Sequence, residues 1–215
     1  MGNAKAMSDT AKAWLAEDPK SVQALVWINL LTISMNDTSP AALDAGEKAA
    51  QTLLSQMDDA FSPARKPAQT TEEQWKQQRT GTESVAYRTL GWVAMQRQQY
   101  DVADKNFLEA LKRNPGDAQA SAWAGTSNLR TKKLERQGVA LFHFCRAAVY
   151  EGQGAFPAQT REQLRKSFET NYKNFHGDTT GMDEVIAAAK ASPIPPEGFR
   201  LESKDEILVR SEEHT

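Results

Sequence analysis

Few side chains in this 215-residue chain stand in arrangements that could do covalent or metal chemistry. Cys145 is its only cysteine, and His143 lies two residues before it. A nucleophile and its base must share a face, but residues two apart on a helix point about 200° away from each other, so the pair diverges. Cys145, beside Phe144, reads as an inert core thiol. A single cysteine excludes an intramolecular disulfide and a cysteine-cluster zinc site, and it leaves the redox compartment open. His176 with Asp178 and Asp183 offers metal donors, yet their spacing fits no defined site. A histidine before a helix-ending glycine more simply serves the last carbonyls. Gly152-Gln153-Gly154 follows no strand and reads as a hinge between helices. G-x-x-x-x-G-K-[ST], H-E-x-x-H and G-x-S-x-G motifs are all missing. The expectation is a chain with no catalytic residue, no metal and no cofactor.

Charge narrows the partner classes. A formal net charge of -2 and a pI near 6.0 give no global basic field of the kind that gathers nucleic acid or anionic lipid. The longest apolar stretch, Ala24 to Ile33, is interrupted by Asn29 and falls short of the ~20 residues of a membrane helix. Met1-Gly2-Asn3-Ala4-Lys5 has no apolar h-region, so no export signal is visible in the chain. A leader already removed would leave no trace, and periplasm and cytoplasm are not separated by the residues.

The elements that position these groups are helices. Leu164, Phe168, Tyr172 and Phe175 recur at the spacing of one helix face, as do apolar residues in segment after segment, and no sustained period-two alternation occurs. Breaker clusters at Asn36-Asp37-Thr38-Ser39-Pro40, Asn114-Pro115-Gly116-Asp117, Gly152-Gln153-Gly154 and His176-Gly177-Asp178 divide the chain into helix pairs. Gly177 suits a left-handed residue after a helix end, and Pro157 suits a first helical turn. Thr70 with Glu73 predicts a capping box that opens a helix through Trp75.

The helix pairs carry a period. With Ser84 as position 1, Tyr87 falls at 4, Leu90 at 7, Gly91 at 8, Ala103 at 20, Phe107 at 24, Ala110 at 27 and Pro115 at 32. This pattern resembles the tetratricopeptide repeat (TPR), with Ala94 at position 11 as the departure. Small residues at 8 and 20 let two helix backbones approach, and large ones at 4, 7 and 24 fill the space around them. A second unit, from Ala118, has Ala124 and Gly125 at 7 and 8. Its Ala140, Phe144 and Ala147 come three residues late, which places a short insertion near Lys132 to Arg136. A third, from Glu162, has Phe168, Tyr172, Gly181, Val185, Ala188 and Pro193 in register, with Glu169 breaking position 8.

The resemblance implies an all-α, right-handed superhelical stack of TPR-like helix-turn-helix hairpins. Its expected divisions are residues 1–58, an N-terminal helix and a degenerate hairpin; 59–83, a connector and lead-in helix; 84–195, three repeats (84–117, 118–161 and 162–195); and 196–215, a tail. Glu17-Asp18-Pro19 looks like the close of an earlier repeat, as if the array had been cut at its N-terminus. Sel1-like and half-a-TPR arrays are the nearest alternatives. Phe142-His143-Phe144 and the His176-Gly177 turn look like bacterial TPR proteins of the cell envelope.

Stacked hairpins present a concave surface lined by the first helix of each unit. By resemblance, positions 2, 5, 9, 12 and 13 face it: Val85, Arg88, Trp92, Met95 and Gln96; Gln119, Ala122, Thr126, Leu129 and Arg130; Gln163, Lys166, Thr170, Lys173 and Asn174. The expected partner site comprises Arg88, Trp92, Met95, Gln96, Gln119, Thr126, Arg130, Lys166 and Lys173. Its cations suit a protein or peptide segment that is acidic or carboxylate-ended, with Trp92 as apolar anchor and Arg88 as forked donor. The competing reading packs Trp92 on a neighbouring hairpin and leaves the cations solvated. The clamp of chaperone-binding TPR proteins is not supported, since Arg88, Trp92 and Trp123 stand where it needs Lys, Asn and Asn. Aromatics such as Tyr87 and Tyr172 fall at packing positions, so nucleic acid is not an expected partner.

Pro193-Ile194-Pro195-Pro196-Glu197-Gly198-Phe199 is stiff and apolar, and is expected to cap the last hairpin. Masking the groove, or serving as a ligand for another protein, are the alternatives. Ser203 to Thr215 is expected to fray. The functional expectation is a non-catalytic interaction scaffold. A self-associating structural module, or an accessory domain of a larger enzyme or secretion assembly, is the alternative.

Overall fold

The structure, a computed structural model, describes residues 2–213 and the side chains of residues 4–212. Met1, His214 and Thr215, which belong to the outermost expected divisions, lie outside the described residues. Among the described residues every regular element is helical and no strand forms. No helix among them is long and apolar enough to cross a membrane. The chain divides into two compact units, residues 1–114 and 115–215. The border falls just before the break expected between the first two repeats.

The first unit contains α1 (Gly2–Glu17), α2 (Val22–Met35), α3 (Pro40–Ser55), a short α4 (Met57–Ala60), α5 (Glu72–Gln96) and α6 (Tyr100–Arg113). Ser21 and Ser39 cap α2 and α3 through their hydroxyls, and Pro40 opens α3 where a missing N–H costs nothing. α5 begins one residue later than expected. The Thr70 amide is used in a turn, donating to the Pro67 carbonyl, so Thr71 becomes the cap. Thr71 and Gln74 then exchange bonds of 3.0 and 3.1 Å, and glutamine serves where Glu73 was expected. α5 runs unbroken for 25 residues, so the lead-in helix and the first helix of the 84–117 hairpin are one rod. The connector folds onto it: the Trp75 indole donates to the Phe61 carbonyl at 3.0 Å and tilts against the Phe61 ring.

α5 and α6 pair closely because Gly91 has no side chain. A Cβ there would meet the Phe107 ring at 2.7 Å, and Ala103, Phe107 and Ala110 are fully buried. Arg113 lies over the Tyr87 ring at 4.3 Å and bonds Glu83 and Glu109 at 2.7 and 2.6 Å, fixing the far end of the pair. In the α2–α3 pair the small residue sits on the second helix instead, where Gly46 faces Thr32. Asn29, which interrupts the apolar stretch of α2, is fully buried and spends its amide on the Leu25 carbonyl of its own helix. The Thr89 hydroxyl donates to the Asn29 backbone carbonyl at 3.3 Å and ties α5 to α2.

The second unit contains α7 (Ala118–Arg130), α8 (Leu134–Val149), α9 (Ala158–His176), α10 (Met182–Ala191) and α11 (Lys204–Glu213). Gly125 faces Phe144 as Gly91 faces Phe107, with a Cβ there meeting the ring at 2.8 Å. The turns before α6 and α8 match, each with a central left-handed residue, Gln98 and Lys132. The three extra residues therefore extend the start of α8 by nearly one turn, which leaves Phe144 on the proper face. α8 is the hub, packing against α7, α9 and α10. Phe142, Cys145, Phe168, Tyr172, Val185 and Ala189 belong to the core that α8 shares with α9 and α10. Glu169 pairs with Arg165 at 3.1 Å rather than entering a close contact.

Where fraying was expected from Ser203 onward, residues 204–213 form α11, and His214 and Thr215 lie outside the described residues. Ser203 and Glu206 form a capping box, with the Ser203 amide and hydroxyl donating to the Glu206 carboxylate at 2.8 and 3.0 Å and the Glu206 amide donating back at 3.3 Å. The pattern Ser203-Lys204-Asp205-Glu206 is the sequence signal for this helix start, outweighed by the charge that follows it.

Replacing Gly91 with alanine forces the Phe107 ring aside. Urea unfolding of Gly91→Ala should show a loss of about 1–3 kcal/mol, and Gly91→Ala with Phe107→Leu should recover part of it. An unchanged midpoint would mean that α5 and α6 are not held at this separation.

Candidate functional site

The groups with the most reactive chemistry are locked inside the second unit. His143 is fully buried, and neither ring nitrogen has a hydrogen-bond partner among the described residues. It therefore has no bond to Cys145. Burial pushes the imidazole down to about 3 and the Cys145 thiol up to about 12, so both are neutral near pH 7. Phe142 meets the His143 ring edge-on with centroids 5.6 Å apart. His176 Nδ1 donates to the Glu202 carbonyl at 2.9 Å, and its Nε2 stands 3.7 Å from Asp178. No group of three His, Cys, Asp or Glu side chains among the described residues is placed to hold a metal ion.

Arg146 organises the surroundings. Its buried guanidinium donates to the Ala189 and Lys190 carbonyls at 2.8 and 3.0 Å and to the Pro115 carbonyl at 2.9 Å, over the Tyr150 ring. Ala189 and Lys190 lie in the last turn of α10, where carbonyls lack helical partners and the helix dipole favours a cation. One side chain of α8 thus anchors the end of α10 and the chain leading into α7.

With α8 held in this way, the second unit presents an open groove of about 320 Å³. Leu141 and Phe144 of α8, Phe175 of α9, and Leu129 and Leu134 at the α7–α8 turn supply its apolar lining. Asn171, Asn174 and residues 203–205 supply a polar edge. Leu129 and Leu134 are 51% and 45% exposed. Arg130 and Lys173 are exposed and adjoin Leu129 and Asn174 in the chain, Lys132 is exposed two residues before Leu134, and the charged residues that line the groove itself are Lys204 and Asp205.

The segment leading into α11 forms one wall of this groove. Phe199 packs edge-on against Phe142 with centroids 5.2 Å apart, and Leu201 lies on α8 at Gly138. A Cβ at Gly138 would stand 2.9 Å from the Leu201 Cβ and 3.2 Å from its backbone nitrogen. Beyond this segment lies a second opening of about 600 Å³, bounded by Tyr172, Glu184, Val185 and Ala188. Residues 199–202 line this second opening, and residues 203–205 line the groove.

The first unit has its own apolar groove, of about 630 Å³, lined by Met7, Trp27, Leu30, Ile33 and Arg88. Among the residues expected to face a partner, Arg88 lines this groove, and Gln96 is half-exposed. Trp92 and Met95 are 3% and 6% exposed and belong to the interior. In the second unit, Gln119 and Thr126 are half-buried, whereas Arg130, Lys166 and Lys173 are exposed. Lys166 pairs with Glu162 at 2.7 Å. The sequence placed Leu129 and Asn174 on the binding face without giving them a role, and both line the groove of the second unit. Phe144 and Phe175 read as packing residues, and nothing in their spacing marks them as partly open. No family model, curated protein or solved structure matches the chain.

The depressed His143 imidazole ties stability to pH. The unfolded chain binds this proton below about 6.5 and the folded chain only near 3, so the contribution is full above 6.5 and is lost as pH falls towards 3. Chemical denaturation of wild type between pH 6.5 and 4 should therefore lose about 1.4 kcal/mol more per pH unit than His143→Leu. Parallel pH profiles would show that His143 is solvated.

Proposed function

We propose that the chain is a non-catalytic protein-interaction module built from TPR-like helical hairpins, with the groove on α8 as a binding site for an apolar, acid-flanked segment of a partner protein. The observation that carries this reading is the pair Leu129 and Leu134, half-exposed together at one cavity. A single exposed leucine is ordinary; two beside an open lining of Phe144 and Phe175 make a place where apolar side chains of a partner leave water. Burying one such side chain is worth about 1.5–3 kcal/mol.

Arg130, Lys132 and Lys173 favour acidic residues flanking the apolar anchors. They would speed encounter and lose influence as salt rises, because exposed charges are screened beyond about 8 Å at 0.15 M. The scaffold contributes preorganisation: the wall formed by α8 stands on a helix already fixed by the Gly125–Phe144 contact and by Arg146, so little ordering of that helix accompanies binding.

A second reading, association between copies, is favoured by the exposure of Leu208 and Val209 on α11. Sedimentation at rising concentration separates the two, since a monomeric binder keeps its mass.

An acidic amphipathic peptide labelled for fluorescence anisotropy provides the test. Leu129→Glu with Leu134→Glu should weaken binding at least tenfold while the melting temperature moves little, because both residues are already half in solvent. Arg130→Glu with Lys173→Glu should weaken it mainly at low salt. Equal affinity for wild type and both variants would place the site elsewhere.

A further inference from the structure

Beside the groove the second unit already holds a piece of extended chain, and that piece shows what fits. Phe199 and Leu201 are two apart and both pack on the body of the second unit, while Arg200 between them is exposed. This is the alternation of an extended strand laid on a surface. α8 is shaped for it at Gly138, where any side chain would collide with the passing backbone and with Leu201. Glycine inside a helix costs roughly 0.5–1 kcal/mol relative to alanine, so its presence beneath a crossing chain marks a seat for a backbone. The seat also carries a polar contact to main chain, since His176 Nδ1 donates to the carbonyl of residue 202.

Yet residues 199–202 are covered only in part. Phe199 and Leu201 stay half-buried, residues 199–202 border the opening of about 600 Å³, and the groove of about 320 Å³ begins at Ser203. A segment of the core is enclosed on all sides instead. Pro193, Pro195 and Pro196 precede the segment, which hold the link to α10 out of helical conformation.

Resting on the reading of this groove as a partner site, we infer that its ligand is an extended segment of a partner protein with an aromatic and a leucine two residues apart, which takes the seat at Gly138 in place of residues 199–202. The aromatic meets Phe142, the leucine crosses Gly138, and the carbonyl after the leucine accepts from His176. The chain's own segment is then a built-in competitor. Tethered next to its seat, it acts at an effective concentration in the millimolar range, so a partner must either exceed that or gain from the flanking cavities.

The probe is a labelled peptide with the sequence of residues 197–203, titrated into the full chain and into Phe199→Ala/Leu201→Ala, whose fold is checked by circular dichroism. The double variant should bind the peptide at least tenfold more tightly than wild type, and a peptide with alanine for both anchors should bind neither. Wild type supplies a reading that needs no variant: excess peptide should raise amide exchange at residues 199–206 and leave α8 protected. No binding to the folded variant, equal binding to both proteins, or unchanged exchange in wild type overturns the inference. A wild-type dimer that exchanges this segment between copies also overturns it, since the occupant is then a second copy. The same variant is titrated with the acidic amphipathic peptide; binding of that peptide alone removes the extended motif and leaves the groove reading standing.

Discussion

Three of the helix pairs in this protein approach where one residue gives up its Cβ, and the groove of the second unit stands on one of them. Gly91 beneath Phe107 and Gly125 beneath Phe144 set two helix pairs, Gly46 against Thr32 sets a third, and Gly138 beneath Leu201 admits a chain that is not helical. Each contact exchanges the conformational cost of glycine for dispersion over a whole ring or backbone segment. Close packing then decides which side chains are left over. In the second unit those are Leu129, Leu134, Phe144 and Phe175, which pack around a space without filling it.

Much of this was legible in the residues because close approach has a local signature. The spacing of Gly91, Ala103, Phe107 and Ala110 gave the α5–α6 pair, and the late Ala140-Phe144-Ala147 pattern gave an extra stretch near Lys132 to Arg136. That the stretch is helical, nearly one turn, follows from the need to keep Phe144 facing Gly125, and this is a tertiary demand. The start of α5 was misplaced by one residue because Thr70 and Thr71 both have a polar partner three residues on; the Pro67 turn takes the Thr70 amide and decides between them. α11 was missed because net charge was weighed above the Ser203–Glu206 pair. Asn29 was visible as an oddity, but only packing shows that its amide turns back to Leu25.

The site was less legible than the fold. Periodicity names the face of a helix but not whether another element covers it, so Trp92 and Met95 looked like surface and are interior. Leu129 and Asn174 carried the right positions with unremarkable side chains. The wall formed by residues 203–205 follows a contact between segments over sixty residues apart, Gly138 with Leu201, for which no spacing rule exists. Electrostatics sorts the remainder. Buried His143 and Cys145 are held neutral near pH 7, and Arg146 is satisfied by carbonyls, whereas Arg130, Lys132 and Lys173 stay exposed.

Amide hydrogen exchange on the intact chain, with and without a bound acidic apolar peptide, reads the occupied surface directly. Occupation of the groove predicts slowed exchange confined to the second unit, at residues 129–144 and 171–175. Protection confined to the first unit, or none anywhere at saturation, would contradict it.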